Sequence, residues 1–294
     1  MQLRPYQEQG AEFLLANPRS MVLAPMGSGK TAMTLTAMHR QGGRFLVLAP
    51  KRVATDVWPQ EFLQWWRGDL TDFAVCHGTP AKRAAAPASD ARVTVCNYEN
   101  LQWLCEQDLS GFDGIVFDEL TKLKNASGER FKALFKLIDL FPVRWGLTGT
   151  FTSNGLEDVF GQCKIIDIGL LGKHKTKYLN EYFYCINREY NDWAARPGAL
   201  EEVMARIKPA TFVLESYGGL PELRKVRVPC RLPHRGDYDT MRKQFVLALE
   251  HGDVVAETAA TTSQKLCQIA SGFVYDKGQT YWLSSHKFDR LDEL

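Results

Sequence analysis

The sequence predicts an α/β protein built on a doubly wound parallel sheet, with helices on both faces and its working residues at the carboxyl ends of the strands. Three observations predict it. Short apolar, β-rich runs alternate with helical stretches from residue 20 to residue 147. A glycine-rich turn, Ala24-Pro25-Met26-Gly27-Ser28-Gly29-Lys30-Thr31, lies between one such run and a helix. Two adjacent acids, Asp118 and Glu119, close another apolar run.

Taken in order, residues 20–23 read as a short buried strand and residues 33–38 as a helix, by length and apolar spacing. Further strands are expected at Phe45–Ala49, 93–96, 115–117 and 144–147, and the alanine-rich stretch 81–91 reads as a surface helix and loop. Helices are also expected at 57–66, where Trp65 and Trp66 suit core packing, and at 127–138. Beyond residue 154 the pattern loosens: a basic cluster at 173–177, a loop at 196–198 and the turn Gly218-Gly219-Leu220-Pro221 read as connections. A new strand is expected at 225–232, where Val226, Val228 and Cys230 alternate with Arg227 and Arg231. Helices at 237–251 and 254–269 follow, then two strands, 272–275 and 279–283, joined by Asp276-Lys277-Gly278, and a helix at 287–294.

Composition bounds the function. A chain of 294 residues, 45% hydrophobic and 24% charged, has room for two cores. A formal net charge of +2 confines any nucleic-acid or membrane affinity to a local patch. Seven scattered cysteines with no Cys-x-x-Cys pair fit reduced thiols and a cytoplasmic setting better than a disulfide framework, and the six histidines lack zinc-ligand spacing. Nowhere do eighteen apolar residues run together, and the N-terminus has no apolar leader, so the chain is expected neither to span a membrane nor to be exported.

The chemistry concentrates at three places. In the glycine-rich turn, Gly27 and Gly29 let backbone N–H groups point inward at phosphates; Met26 and Ser28 complete the cradle, Lys30 brings a point charge, and Thr31 offers a hydroxyl to Mg²⁺. A plain glycine turn with a surface lysine is the structural alternative. Asp118 suits a Mg²⁺ site and Glu119 suits polarisation of an attacking water; an acidic helix cap is the alternative there. The third is Gly146-Leu147-Thr148-Gly149-Thr150, whose hydroxyls can bond the acidic segment, although Thr-Gly-Thr is also a common turn.

The order of these motifs resembles the superfamily 2 helicases and translocases, in particular their Swi/Snf-like branch and the compact DEAD/DEAH-box members of phages and bacteria. The residues that carry the resemblance are Leu3-Arg4-Pro5-Tyr6-Gln7, the phosphate loop, Leu48-Ala49-Pro50-Lys51 running into Trp58-Pro59-Gln60-Glu61-Phe62, Cys96-Asn97-Tyr98-Glu99, Asp118 to Asn125, and Leu147 to Asn154. They cover residues 1–162. The resemblance implies a RecA-like ATP-binding lobe there, a linker or insertion at 163–222, and the start of an incomplete second RecA-like lobe at 223–294, where Gly272-Phe273-Val274-Tyr275-Asp276 matches the phage-type members. It implies ATP and Mg²⁺ as cofactors, with Gln7 reading adenine and Lys30, Asp118 and Glu119 in the reaction. Thr121, Thr148, Gly149 and Thr150 would couple the sites. Lys51, Arg52, Asn97, Tyr98 and Asn154 would contact DNA through its backbone, without sequence preference; Lys122 and Lys124 are weaker additions.

Two departures stand out: Leu120-Thr121 occupies the positions where the family often has Ala-His, and Phe151 stands where the branch usually has Pro. Thr121 is then the substitute for a histidine link. The arginines of a second lobe, worth about 10³ to 10⁵ in rate, lie beyond the segment matching Leu294, so a separate polypeptide is a further expected partner. The resulting expectation is an ATP-dependent DNA helicase or translocase whose turnover needs that lobe. A nucleotide-gated DNA-binding module without chemistry, and a plain P-loop kinase or small-molecule NTPase, are the alternatives.

Overall fold

Strands that are apolar on both faces can be stable only between two layers of helices, and the main sheet has that form. The computed structural model describes residues 2–152, 155–187, 189, 192–215, 225–249, 252–256 and 258–293. Asn154 and the turn at 218–221 lie outside the described residues. The chain forms two compact units, Met1–Leu220 and Pro221–Leu294.

The first unit runs α1 (Pro5–Ala16), β1 (Arg19–Leu23), α2 (Lys30–Gln41), β2 (Phe45–Ala49), α3 (Trp58–Trp65), β3 (Phe73–Val75), α4 (Pro80–Ala88), β4 (Val93–Asn97), α5 (Leu101–Leu104), β5 (Gly114–Asp118), α6 (Glu129–Leu137) and β6 (Val143–Thr148). It continues with α7 (Glu157–Ile166), α8 (Ile168–Leu171), α9 (Lys175–Tyr182), a hairpin of β7 (Phe183–Asn187) and β8 (Asp192–Ala195), α10 (Ala199–Ile207) and β9 (Thr211–Val213). Seven strands join in the order β3-β4-β2-β5-β6-β1-β9. All six pairings are parallel. Alternate residues feed two cores: Leu46, Leu48, Ile115 and Phe117 enter one, and Phe45, Val47, Ala49 and Val116 the other. That is the two-sided burial the apolar runs require.

Two strands of the main sheet are additions to the sequence reading. β3 and β9 have only three residues each, too short for a readable pattern. Because β9 pairs with β1, the sheet draws in residues that the sequence assigns to a connecting segment.

In the second unit the helix expected at 237–251 is shorter. α11 (Arg235–Gln244) stops where Phe245 takes a left-handed conformation, φ 62°, and β10 (Val246–Leu249) and β11 (Gly252–Val255) then pair antiparallel. The strand expected at 225–232 does not form; those residues are irregular. α12 (Ala259–Ala270) begins later than expected, at Thr258, whose hydroxyl accepts from the Thr261 N–H while the Thr261 hydroxyl accepts from the Thr258 N–H. β12 (Phe273–Asp276) and β13 (Gln279–Trp282) form the expected hairpin, with positive φ at Lys277 and Gly278 as a two-residue turn of this kind demands. α13 (His286–Asp292) ends the unit. Met241, Leu247, Val254, Ala256, Ile269 and Val274 are its core.

Candidate active site

Strand order places the site. β1, β6 and β5 are neighbours and run parallel, so the phosphate loop leaving β1, Thr148 ending β6 and Asp118 ending β5 emerge at one edge of the sheet. The loop is tied to β6 by the Ala24 N–H donating to the Thr148 carbonyl at 3.1 Å.

Within the loop, Gly27 and Gly29 have φ of 73° and 80°, a region that penalises any Cβ. Gly29 caps α2, so the first-turn N–H groups and the positive end of the helix dipole face the loop. A Cβ on Gly29 would lie 2.2 Å from Gln7 Nε2. Gln7 is buried and braced: its Nε2 donates to the Ser28 carbonyl at 3.1 Å and its Oε1 accepts from the Arg4 N–H at 2.8 Å. Its amide therefore supports the loop from behind, a contact the sequence did not reveal. The Lys30 ammonium donates to the Ala24 and Pro25 carbonyls at 2.8 and 3.0 Å. Thr31 follows in the first turn of α2, and Met26 is exposed at the crest.

The charges of the site feel one another. Burial lowers the Lys30 pKa below the ordinary lysine value, and the charges of Asp118 and Glu119 oppose that shift. Burial raises the Asp118 pKa, opposed by a hydrogen bond from Trp58 and by the Lys30 charge. Trp58, fully buried, donates its indole Nε1–H to Asp118 Oδ2 at 2.8 Å. The Tyr98 hydroxyl donates to the Asp118 carbonyl at 3.0 Å. Glu119 sits at φ 60°, ψ 64°, which turns the chain sharply off the strand, and its Oε1 accepts from the Thr121 hydroxyl. Thr148 is buried, its hydroxyl donating to the Thr150 carbonyl at 2.6 Å and accepting from the Thr150 N–H at 3.1 Å; Gly149 lies between them and Thr150 is exposed.

The expected nucleic-acid residues divide. Lys51 and Arg52 are exposed. Asn97 and Tyr98 are nearly covered: Asn97 is 7% exposed with its side chain bonded to Glu99 and Asn100, and Tyr98 is 3% exposed beneath Asp118. Lys124 pairs with Asp158 at 3.0 Å, whereas Lys122 is exposed.

The model of the SNF2-related domain matches residues 6–260. The chain belongs to the SNF2-related domain family. It is 33% identical over 318 residues to protein p41 of Acyrthosiphon pisum secondary endosymbiont phage 1, covering 99% of this chain and 68% of that protein. It is 28% identical over 211 residues to the DNA repair and recombination protein RAD54 of Oryza sativa subsp. japonica, covering 62% of this chain but 21% of that protein. The SWI2/SNF2 ATPase core of Sulfolobus solfataricus, solved in complex with dsDNA, superposes with a TM-score of 0.60 at 22% identity, over 92% of this chain and 58% of that one. That likeness establishes the shared SNF2 fold. This SNF2-related chain spans about two thirds of its phage relative and far less of RAD54. Among the described residues no helix is long and apolar enough to cross a membrane.

Proposed function

We propose that the chain is the ATP-binding lobe of a DNA helicase or translocase, with residues 223–294 beginning a second lobe. The observation that carries this reading is that the phosphate loop with Lys30 and the Asp118–Glu119 pair emerge together at the shared edge of β1, β6 and β5. The donor set fits a magnesium–nucleoside triphosphate: left-handed glycines, a helix N-terminus, a cation, a hydroxyl and a half-buried carboxylate. Lys30 and the loop N–H groups would hold the phosphates, Thr31 and Asp118 would hold Mg²⁺, and Glu119, turned outward by its left-handed backbone, would orient the attacking water. The ion supplies neutralisation of phosphate charge. Thr121, which bonds Glu119, and Thr148 to Thr150, which link β6 to the phosphate loop, are the candidates for coupling. Lys51 and Arg52 would meet the DNA backbone. The phage relative supports a cytoplasmic setting in an infected bacterium.

ATP turnover by the polypeptide 1–294, with and without duplex DNA, tests the reading. The expected result is saturable Mg²⁺–ATP binding with slow turnover, because the arginines that speed phosphoryl transfer belong to a complete second lobe, on this chain or on a separate one. Turnover of order 1 s⁻¹ or faster that is indifferent to DNA would instead fit a small-molecule NTPase.

A further inference from the structure

Residues 51–65 form a continuous helical rod interrupted in its winding: Val53–Val57 are π-helical. The sequence supplies the cause. Pro59 has no N–H for the carbonyl one α-turn before it, and its ring crowds that carbonyl, so the ladder widens just ahead of it. The Trp58 N–H reaches back instead to the Val53 carbonyl. Single π-turns within α-helices are rare and frequently lie at functional sites.

The two sides of this π-turn face different chemistry. Lys51 and Arg52, at the rod's start, are exposed and make no ion pair among the described residues. Trp58, which closes the π-turn with its backbone, holds Asp118 Oδ2 with its side chain at 2.8 Å. That leaves Asp118 Oδ1 for a cation.

We propose that Trp58 is a positioning residue that couples DNA contact at Lys51 and Arg52 to the setting of the Asp118 carboxylate, the π-turn being the element that changes state. The proposal rests on the reading given under Proposed function. A shift of the rod that regularises the π-turn must move the Trp58 indole, and a half-buried carboxylate follows its charge-assisted donor or loses that bond. Contact on one side of the π-turn is thereby tied to the setting of the Asp118 carboxylate on the other, and linkage makes the effect reciprocal.

The test is the affinity of a non-hydrolysable fluorescent ATP analogue with Mg²⁺, measured with and without duplex DNA. In the wild type DNA should tighten nucleotide binding by about 5- to 150-fold. Trp58→Phe keeps an aromatic ring in the core but removes the N–H, and the ratio should fall to near 1. Because the ratio is taken within one variant, a loss of affinity that is merely structural cancels. Pro59→Ala removes the cause of the π-turn without touching the indole and should also lower the ratio; it decides the matter if the Phe variant does not fold. A wild-type ratio retained in either folded variant overturns the proposal. So does a wild type that binds nucleotide but ignores DNA, which leaves the nucleotide site standing; a wild type that binds no nucleotide defeats the underlying reading as well.

Discussion

Two residues of the site sit in electrostatic tension, and each yields a signed prediction. Lys30 has a pKa lowered by burial, so the folded chain holds that proton less tightly than the unfolded one. The buried ammonium costs stability below its folded pKa, and the cost is relieved as pH rises through that value. A triphosphate needs the ammonium, so affinity for Mg²⁺–ATP should fall on the alkaline side sooner than for an ordinary lysine; a binding titration across pH 7 to 10 checks this. Asp118 has a raised pKa, again from burial. Its charge costs stability at neutral pH, a cost relieved as pH falls through the folded pKa toward the ordinary aspartate value. Asp118→Asn keeps an oxygen for Trp58 and removes the charge, so the melting temperature should rise by a few degrees while Mg²⁺ no longer tightens nucleotide binding. Lys30, Asp118 and Glu119 were legible in the sequence because their chemistry lies in short local strings. Trp58 and Tyr98 were not legible as supports of Asp118, because their partners are 60 and 20 residues away and only the sheet brings them together.

Elements meet closely where α7 crosses the 3₁₀ turn Leu120–Leu123 that follows the acidic pair. A Cβ on Gly161 would stand 2.1 Å from the Lys124 carbonyl oxygen and 2.8 Å from that of Leu123, both backbone atoms that cannot swing aside. In an unconstrained helix interior Gly→Ala stabilises by about 1 kcal/mol. Here Gly161→Ala should destabilise by about 1–3 kcal/mol, since α7 must be pushed off the turn; a urea denaturation midpoint checks the sign. The five longer strands of the main sheet were legible because two-sided burial makes them continuous apolar runs. The stretch from Phe245 to Val255 was not: Phe245-Val246-Leu247-Ala248-Leu249 has too few residues to separate a helix from a strand, and the sequence reading took the helix. The irregular run at 225–232 alternates as a strand would, yet lacks a neighbour to pair with among the described residues.

At the scale of the whole molecule, seven parallel strands bring segments from residues 24, 118 and 148 to one edge, and that convergence is what the functional account requires. The second unit, with its own small core, pairs its described strands antiparallel, so the proposal that it begins a second motor lobe draws nothing from its sheet. The account's central claim is that one magnesium-bound triphosphate is held jointly by Lys30 and Asp118. The most direct measurement is titration of the wild type, Lys30→Ala and Asp118→Asn with a fluorescent ATP analogue, each with Mg²⁺ and with chelator. The account predicts saturable binding that Mg²⁺ tightens in the wild type, a loss of about 10- to 100-fold in Lys30→Ala, and no Mg²⁺ effect in Asp118→Asn. Wild-type affinity in folded Lys30→Ala, or an undiminished Mg²⁺ effect in Asp118→Asn, would contradict it.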